Sequence, residues 1–565
     1  MTSQIFHFHT AYSDHMTLFC RTDVPGKLSL GKEGAVVAEI HVSPTSGWHY
    51  FFDVEKDTNY CLICTNVELR LGYLATTDPV IYEKGVLFLA NGTAVDSFAD
   101  SYDQPCRNQY HFAPFANWMN DPNGLCWYQG RFHMFYQFNP YDTCWGNAYW
   151  GHAVSKDLIH WVHLPVALFP QEELKDKVGY KGGAYSGSAY AGPNGIHLYY
   201  TRCYSPMVRN EETKEIQVHA LCDGISVTKE EVVIHENPVQ ARDDHNFRDP
   251  MITIVDGIPT IFIGANVSCV CSVLAFQQES SAWTCKGVVF QDPLASCLAF
   301  ECVNVMFGEK RSCAILCSLQ DSKGTPGKTR KSVVYVGTHE GLSFHVGPAS
   351  LLDFGTGSYA LQLVQKDQKS ATAFAWCLDT YGNYKTGTSL SNGAMSLPRI
   401  CTIQDGKWNM QANPAVSALF DINLLDSKDV SPQGTIAIPN GTFLWELQFL
   451  PNGGPWKLEF CATESSFMGL QYQNGKIQFL YEEDGNSKIP TDLVLESKSF
   501  TSLSIFVDRS LVEVFVNEGE GYGSCSYFIP KGEWHAKWEF ANNQLVLRNK
   551  ITKLKGIWET GGKNE

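Results

Sequence analysis

The sequence predicts an all-β protein with more than one domain. Short runs rich in Val, Ile, Phe, Tyr and Trp alternate with Gly, Asn, Asp and Pro, at the spacing of roughly 8–12 residues that is typical of β-sandwiches and barrels. Long amphipathic helical patterns are scarce. The 565 residues exceed what one compact core accommodates, so two or three domains are expected. The strand pattern alone does not distinguish a β-propeller from a β-sandwich.

Three strand-rich regions follow one another along the chain. Residues 1–105 precede the motifs described below, and residues 106–405 carry all of them. Residues 406–425 are typical of a linker with one helical turn. Residues 426–565 are again strand-rich, and residues 503–516 predict a hairpin with alternating apolar positions. We expect the first region to be an accessory β domain that packs on the following domain or on a second subunit, so a homo-oligomer is one option.

Composition restricts the partners and the cellular compartment. A formal net charge of −16 disfavours nucleic acid and anionic membranes as partners. No apolar run approaches the ~20 residues of a membrane span. The first residues lack a basic segment followed by an apolar one, so we expect a cytoplasmic protein. The 19 cysteines show no framework or metal spacing, so we expect reduced thiols, no structural disulfide and no metal site.

One carboxylate, Asp121, lies among turn-forming residues between two aromatic runs. Pro122 fixes its own φ angle and biases Asp121 toward an extended conformation. The dipeptide Asn123-Gly124 is a strong turn signal. Residues 125–136 then predict a strand, a turn at Gln129-Gly130 and a second strand, so Asp121 is expected near the start of a hairpin. A carboxylate held this firmly suits attack on a sugar. The alternative is a turn that only connects two strands.

Two further carboxylates have similar local settings. Asp249 precedes Pro250 and follows Arg248, and Glu301 precedes Cys302 in an apolar stretch. Three framed carboxylates suit glycoside hydrolysis, which uses a pair of them and gains from a third that binds sugar hydroxyls. The sequence alone does not show that they converge. Each also has a structural explanation, since an Arg-Asp pair is usually a salt bridge.

These residues belong to a series of motifs that resembles glycoside hydrolase family 32, the β-fructofuranosidases. That family includes invertases, inulinases, levanases and sucrose-6-phosphate hydrolases. The resemblance covers roughly residues 110–400, and it is weaker toward the C-terminus. In chain order the motifs are residues 118–124 (Trp-Met-Asn-Asp-Pro-Asn-Gly), 136–140 (Tyr-Gln-Phe-Asn-Pro), 145–146 (Trp-Gly), 150–157 (Trp-Gly-His-Ala-Val-Ser-Lys-Asp), 160–161 (His-Trp), 185–188 (Tyr-Ser-Gly-Ser), 248–250 (Arg-Asp-Pro), 301–302 (Glu-Cys) and 353–359 (Asp-Phe-Gly-Thr-Gly-Ser-Tyr).

The resemblance implies a fold and an activity. The fold would be a five-bladed β-propeller followed by a C-terminal β-sandwich, with the N-terminal β-rich domain as an addition. The activity would be retaining hydrolysis of terminal β-fructofuranosyl linkages in sucrose, fructooligosaccharides or related fructosides, with no cofactor. The substrate partner would be a fructose-containing oligosaccharide or disaccharide.

The resemblance also implies roles for individual residues. Asp121 matches the nucleophile, Glu301 the acid/base and Asp249 the transition-state stabiliser. Neighbours that tune the acid/base correspond to Arg248 and Cys302. Residues that match the pocket around the fructosyl ring are Asn120, Gln137, Trp145, Tyr185, Ser186, Tyr359 and Trp376.

Several departures from the family pattern leave the substrate open. Tyr185 replaces a common Phe, Ala148-Tyr149 precede Trp150, and Val303-Asn304 follow Cys302. We expect the last two changes to flank the fructosyl pocket where the leaving group sits, and the N-terminal region to shape that side.

Alternative functions use the same fold. A fructosyltransferase or a hydrolase of an unusual fructose disaccharide would need the same residues. Further alternatives are a related family acting on arabinosides or other furanosides and a non-catalytic fructan-binding protein, which would be expected to lack one of the three carboxylates.

Overall fold

The computed structural model is nearly all-β. It describes residues 3–90, 93–95, 102–175, 180–206, 214–239, 246–293, 299–319, 331–377, 390–451, 454–488, 493–497, 501–529, 532–541 and 546–558. No helix in these ranges is long and apolar enough to cross a membrane.

The N-terminal region contains two antiparallel sheets, with strand orders β1-β6-β3-β4 and β5-β2-β7-β8-β9. Its elements are β1 (Ser3–His9), β2 (His15–Thr22), β3 (Gly26–Lys32), β4 (Ala35–Val42), β5 (Thr45–Asp53), β6 (Asn59–Thr65), β7 (Glu68–Ala75), the helix α1 (Ile81–Lys84), β8 (Leu87–Ala90) and β9 (Thr93–Val95). Alternating apolar side chains of both sheets, such as Leu18, Leu28, Leu62 and Leu74, form one buried core.

In the described residues, the middle of the chain forms five consecutive sheets. Their strands are β10 (Asn117–Tyr128), β11 (Arg131–Asn139), β12 (Tyr149–Ser155), β13 (Trp161–Leu168), β14 (Tyr180–Gly192), β15 (Gly195–Pro206), β16 (Lys214–Cys222), β17 (Val227–Ile234), β18 (Phe247–Val255), β19 (Ile258–Val267), β20 (Val270–Glu279), β21 (Ala282–Asp292), β22 (Phe300–Phe307), β23 (Ser312–Leu319), β24 (Lys331–Glu340), β25 (Ser343–Val346), β26 (Ser350–Leu351), β27 (Ser358–Gln365), β28 (Ala371–Cys377), β29 (Ser391–Asn392), β30 (Ala394–Met395), β31 (Arg399–Gln404) and β32 (Lys407–Ala412).

These sheets close into a ring. The first strand of each sheet, namely β10, β14, β18, β22 and β27, contacts the first strand of the next sheet, and β27 contacts β10. Strand β29, from the last part of this region, pairs in parallel with β10 and joins the end of the ring to its start. The arrangement is that of a β-propeller, which is called the ring below.

The C-terminal region is a sandwich of two sheets with orders β33-β45-β35-β41-β42-β43 and β34-β44-β36-β37-β38-β39, and β40 pairs with β38. The strands are β33 (Phe420–Ser427), β34 (Gln433–Ala437), β35 (Thr442–Phe449), β36 (Trp456–Ala462), β37 (Phe467–Gln473), β38 (Lys476–Glu483), β39 (Asn486–Ser487), β40 (Leu495–Glu496), β41 (Ser502–Asp508), β42 (Leu511–Val516), β43 (Gly521–Ser526), β44 (Glu533–Phe540) and β45 (Val546–Leu554). The predicted hairpin is confirmed as β41 and β42, which pair in antiparallel register.

Short 3₁₀ helices connect some of the strands. They span Glu172–Leu174, Glu309–Arg311, Pro414–Leu419, Pro439–Gly441 and Asn517–Gly519. The predicted linker over residues 406–425 is too long, because Lys407–Ala412 pairs with β31 and Phe420–Ser427 pairs with β45. The segment that connects the ring to the C-terminal sandwich is therefore shorter than predicted. It consists of Asn413 and of the 3₁₀ helix Pro414–Leu419, which Asn413 caps.

The predicted turn at Asn123-Gly124 is wrong. Both residues lie inside β10, where the register shifts between Asn123 and Cys126. Gly124 has a φ of +54°, and a Cβ there would lie 2.7 Å from the Phe135 ring. Glycine is therefore needed at this position, both for the backbone conformation of the bulge and for the close contact with Phe135. The predicted hairpin turn at Gln129-Gly130 is confirmed, because Tyr128 pairs with Arg131 across it and both turn residues have positive φ.

The expectation of no disulfide is also wrong. Cys271, in β20, is disulfide-bonded, while 17 other cysteines are free. Local spacing carries no signal for this bond, because a disulfide depends on which backbone segments the tertiary fold brings together.

The N-terminal sheets pack against the first sheet of the ring. Phe19 makes edge contacts with the rings of Tyr141 and Tyr149. His49 Nδ1 lies 3.1 Å from the Tyr149 hydroxyl. The backbone N–H of Val166 donates to the hydroxyl of Tyr73 at 3.0 Å. The two regions therefore share an aromatic interface.

Candidate active site

In each sheet of the ring, the first strand contains a β-bulge at a corresponding position. The register shifts lie between Met119 and Pro122, Ala184 and Gly187, Arg248 and Met251, Glu301 and Asn304, and Tyr359 and Gln362. A bulge re-aims the side chains that it contains. Inside the bulges Asp249, Cys302 and Ala360 have φ of +63°, +47° and +52°, a left-handed conformation that is uncommon for residues with a side chain.

The bulges surround one cavity of about 440 Å³, within the size range of small-molecule sites. Every predicted site residue lines it except Cys302, which is buried beneath it. The lining residues are Trp118, Asn120, Asp121, Gln137, Trp145, Tyr185, Ser186, Cys203, Ser205, Glu215, Arg248, Asp249, Glu301, Tyr359 and Trp376.

Asp121 is oriented by a chain of hydrogen bonds from three strands. The Ser186 hydroxyl donates to Asp121 Oδ2 at 2.6 Å, and Gln137 Nε2 donates to that hydroxyl at 3.0 Å. Asn120 Nδ2 donates to Gln137 Oε1 at 3.1 Å. Trp118 Nε1 donates to Asn120 Oδ1 at 2.8 Å and completes the chain. The Asp121 carboxylate is thus held in one orientation before any substrate arrives.

Glu301 is held from both of its oxygens. Arg248 donates to Oε1 from Nη2 at 2.7 Å and from Nε at 3.2 Å. The Tyr359 hydroxyl donates to Oε2 in a short hydrogen bond. The Glu301 side chain is only 15% exposed, so these contacts largely replace water around it.

Asp249 lies deeper than the other two carboxylates. Its Oδ2 accepts a hydrogen bond from the backbone N–H of Cys302 at 2.8 Å, and its own N–H donates to Thr201 Oγ1 at 3.0 Å. Burial raises the pKa of Asp249 to about 7; Arg248 opposes this shift, while the negative charges of Glu301 and Asp121 add to it.

Cys302 connects two of the carboxylates from below. Its Sγ lies 3.5 Å from Asp121 Oδ2 and 3.6 Å from Asp249 Oδ2. Burial, together with the charges of Asp249 and Asp121, raises the pKa of this thiol well above its ordinary range, so it stays protonated. A neutral S–H group beside two carboxylates is a weak donor to either of them.

Glu215 is a fourth buried carboxylate, and the sequence reasoning missed it. It accepts from Arg248 Nη1 at 3.0 Å and from the backbone N–H of Phe247 at 2.6 Å. Burial raises its pKa, and the charge of Arg248 opposes that shift. Glu215 lies in the plain strand β16, without a neighbouring turn signal. Two other unpredicted lining residues, Cys203 and Ser205, share one face of β15 by simple alternation.

Aromatic rings form the walls of the cavity. Trp118 and Trp376 meet edge to face at 5.4 Å, and Tyr359 meets Trp376 at 6.4 Å. On the opposite wall, Trp145 meets Tyr185 at 6.3 Å. Rings arranged in this way suit the apolar face of a sugar.

The departures at residues 148–149 and 303–304 do not face the cavity, contrary to expectation. Ala148, Tyr149, Val303 and Asn304 are all buried and none lines the cavity. Tyr149 faces the N-terminal sheets instead. The Asn304 side chain donates to the backbone oxygens of Cys302 and Leu361 and links β22 to β27. These changes therefore serve packing between parts of the fold.

Known proteins identify the family. The Glycosyl hydrolases family 32 N-terminal domain matches residues 111–414, which is more than half of the chain. The chain belongs to glycoside hydrolase family 32. It is a β-fructofuranosidase-type glycoside hydrolase, and fructoside hydrolysis is the activity that its relatives share.

Similar proteins cover most of the chain. An extracellular exo-inulinase from Aspergillus niger is 27% identical in an alignment that covers 78% of this chain and 92% of the relative. A sucrose-6-phosphate hydrolase from Escherichia coli is 28% identical in an alignment that covers 80% of this chain and 94% of the relative. The solved structure of a glycoside hydrolase family 32 protein from Bifidobacterium adolescentis has a TM-score of 0.86 at 23% identity, covering 98% of this chain and 100% of that one.

Proposed function

We propose that this protein hydrolyses terminal β-fructofuranosyl linkages with retention of configuration, by double displacement. The observation that carries the proposal is the convergence of Asp121, Asp249 and Glu301 in one cavity, each with a different set of partners. Retention needs a nucleophilic carboxylate and a separate proton donor on the two sides of the scissile bond.

In the first step, Glu301 donates its proton to the glycosidic oxygen while Asp121 attacks C2 of the fructosyl ring. The C2–O bond breaks, its electron pair stays with the leaving-group oxygen, and a fructosyl-enzyme ester forms. In the second step, Glu301 removes a proton from water, which attacks C2 and releases Asp121. Arg248 and Tyr359 hold Glu301 in place for both proton transfers.

Asp249 would act on the charge that develops between these steps. Positive charge grows on the fructosyl ring as the C2–O bond breaks, and a buried carboxylate stabilises it most where water is excluded. Asp249 would also accept hydrogen bonds from ring hydroxyls. The remaining lining residues would hold the ring, with Asn120 and Gln137 as polar partners and Trp145, Tyr185 and Trp376 as walls.

The substrate would be sucrose, a fructooligosaccharide or a related fructoside. Two relatives are named for inulin and for sucrose 6-phosphate, so the family resemblance does not choose among leaving groups. A transferase would use the same fructosyl-enzyme, with a second sugar replacing water. Tyr149 and Asn304 are buried and do not line the cavity, so these departures from the family pattern do not choose among leaving groups either.

The proposal extends to the domains and the compartment. The ring would be a five-bladed propeller that ends at residue 412, preceded by an accessory domain over residues 1–105 and followed by a sandwich from residue 420. A cytoplasmic location is supported by the 17 free cysteines, whereas the disulfide of Cys271 points toward an oxidising compartment. Fractionation of the native host cell tests the location.

The test compares substrates and the configuration of the product. Release of fructose from sucrose, kestose, inulin and levan is measured side by side, and NMR follows the first-formed anomer. We expect the β-anomer first, and a loss of kcat on the order of 10⁴-fold for Asp121→Asn at unchanged thermal stability. Asp367→Asn is the matched control, since Asp367 lies in a surface turn outside the cavity. Near-normal turnover by Asp121→Asn, or inversion, would sink the proposal.

A further inference from the structure

Trp145 lines the cavity but has little packing of its own. Its side chain is 40% exposed, its ring meets Tyr185 at 6.3 Å, and Lys181 Nζ lies 5.0 Å from the ring centre. The residue belongs to the connection between β11 and β12, residues 140–148, called here the Trp145 connection. Because the indole is this exposed, its place depends strongly on how the backbone of this connection is held.

The beginning of the Trp145 connection is held by the N-terminal region. Arg70 Nε donates to the backbone oxygen of Tyr141 at 2.7 Å. The Arg21 guanidinium lies 3.4 Å from Asp142 Oδ2. The Tyr141 ring packs so closely on Gly47 that a Cβ there would lie 2.8 Å from it. The three N-terminal residues belong to β7, β2 and β5, which are adjacent strands of one sheet.

The middle of the Trp145 connection is held by the ring. Asn392 Nδ2 donates to the backbone oxygen of Thr143 at 3.0 Å, and Asn139 Nδ2 donates to that of Cys144 at 2.7 Å. Each of the four residues before Trp145 is thus held by a partner, and the first two partners come from the N-terminal sheet. By contrast, the partners described above for Asp121, Asp249 and Glu301 all belong to the ring.

We propose that Arg70 is a positioning residue for substrate binding, assisted by Arg21, and that the N-terminal sheet sets the position of Trp145 through it. The inference rests on the proposed function, in which a fructoside sugar ring packs against Trp145. The contacts of Arg70 and Arg21 with the Trp145 connection are called here the clamp. The three carboxylates do not depend on the clamp, because their partners belong to the ring. Loosening the clamp therefore weakens substrate binding equally in the ground state and in the transition state. Such a loss raises KM and leaves kcat nearly unchanged.

The test compares Arg70→Ala with Arg131→Ala. Arg131 also links the two regions through its guanidinium, because its Nη2 donates to Glu83 Oε1 within α1 at 2.6 Å, and its described partners do not include the Trp145 connection. We expect Arg70→Ala to raise KM about threefold to tenfold, the range of one lost hydrogen bond, with kcat within twofold. Arg131→Ala should leave both constants unchanged. Thermal unfolding checks that both variants fold.

A double-mutant cycle shows whether Arg70 acts through Trp145. In a Trp145→Ala background, Arg70→Ala should cause no further rise of KM, because the side chain that it positions is gone. If Arg70→Ala does not fold, Arg21→Ala tests the same clamp and should raise KM about twofold, as expected for a partly exposed ion pair.

Three results would overturn the inference. Arg70→Ala could behave like Arg131→Ala, its effect could persist undiminished without Trp145, or kcat could fall instead of KM rising. Absence of fructose release by the unmodified protein on every fructoside would overturn the proposed function itself, and this inference with it. Activity in the unmodified protein therefore separates the two failures.

Discussion

Two buried clusters of charged side chains differ in their charge balance. The joint cluster connects the ring to the C-terminal sandwich and consists of His111, Arg399, Asp508 and Glu513. His111 Nδ1 lies 2.8 Å from Asp508 Oδ2, its Nε2 lies 2.8 Å from Glu513 Oε1, and Arg399 Nη2 lies 2.9 Å from Glu513 Oε2. The cavity cluster consists of Asp121, Glu215, Asp249, Glu301 and Arg248.

Protonation follows the charge balance of each cluster. Burial opposes ionisation of Glu513, but Arg399 and His111 outweigh it and lower the pKa of Glu513 to about 2. Burial also opposes the charge of His111, but the hydrogen bonds that its ring donates to the Asp508 and Glu513 carboxylates raise its pKa to about 9. In the joint cluster, two cationic side chains, His111 and Arg399, thus face two carboxyl groups. In the cavity cluster, four carboxyl groups share one guanidinium, and the pKa of Asp249 rises to about 7.

Burial alone thus does not separate a structural cluster from a reactive one. In a cluster with equal numbers of cationic and carboxyl groups, each charge is stabilised by a partner. Removing one partner is strongly destabilising, because it leaves a buried charge unpaired. An unmatched cluster retains groups that can exchange protons near neutral pH, which is what acid–base catalysis needs. The following variants break or sharpen this contrast, from the largest expected effect to the smallest.

Glu301→Gln removes the proposed proton donor of the cavity cluster. We expect kcat on natural fructosides to fall by about 10²–10⁴-fold, the usual contribution of general acid–base catalysis. The first step on substrates whose leaving group needs no proton should be spared. Steady-state and burst kinetics on both substrate classes check this, and an equal loss on both would show that Glu301 is not the acid.

His111→Gln removes one cation from the joint cluster. The free energy of unfolding should fall by about 3–5 kcal/mol, because Asp508 and Glu513 lose a buried partner, while the KM of the folded enzyme stays the same. In the unmodified protein the pKa of His111 is raised from 6.5 to about 9, so its contribution is complete below pH 6.5 and is lost as pH rises through 9.

Urea unfolding of both proteins at several pH values checks the second part of this prediction. The decline in stability between pH 6.5 and 9.5 should be smaller in His111→Gln than in the unmodified protein. An equal decline in both would show that another group titrates there. An increase in KM without a loss of stability would contradict the structural role.

Asp249→Asn removes a buried charge from the cavity cluster. The variant should hydrolyse every fructoside more slowly. Its transition state should lose a few kcal/mol of stabilisation, about 1–3 kcal/mol for each charged hydrogen bond that is lost. The pKa of Asp249 is raised from 3.8 to about 7, so in the unmodified protein this group makes stability fall as pH rises through that window. The variant lacks this fall, and its melting temperature relative to the unmodified protein should be higher at pH 8 than at pH 5. An equal difference at both pH values would refute the assignment.

Glu215→Gln should have the smallest effect. One amide oxygen replaces two carboxylate oxygens, so the contacts to Arg248 and to the Phe247 N–H compete for it. We expect kcat/KM to fall about tenfold, the lower end for a hydrogen bond to a charged group. The basic limb of the pH profile should move to lower pH, because a nearby negative charge is removed. Glu230→Gln, which breaks the exposed Arg202–Glu230 pair of the same sheet, should change neither property. If the pH profile of the variant equals that of the unmodified protein, Glu215 has only a packing role.

Short-range patterns were sufficient for the fold class and for much of the cavity. Alternating apolar runs predict strands, and β41 and β42 form the predicted hairpin around Arg509-Ser510. Asp121, Asp249 and Glu301 each carry a local motif, and all three line the cavity. These features depend on residues that are close together in the chain, so they can be predicted without knowledge of the fold.

Tertiary structure decided the features that depend on register and on distant contacts. Asn123-Gly124 has the sequence of a turn but forms a bulge, because β10 pairs with β11 beyond it and the Phe135 ring occupies the space beside Gly124. Glu215 has no local signal, since it meets Arg248 only when β16 and β18 come together.

The same reasoning explains Tyr149 and the balance of the two clusters. Tyr149 was expected near the leaving group, but it faces an N-terminal partner 100 residues away in the chain. Sequence shows which side chains can ionise. Their protonation depends on the charges and the burial that folding assembles around them, because electrostatic interactions act through space and local motifs act along the chain.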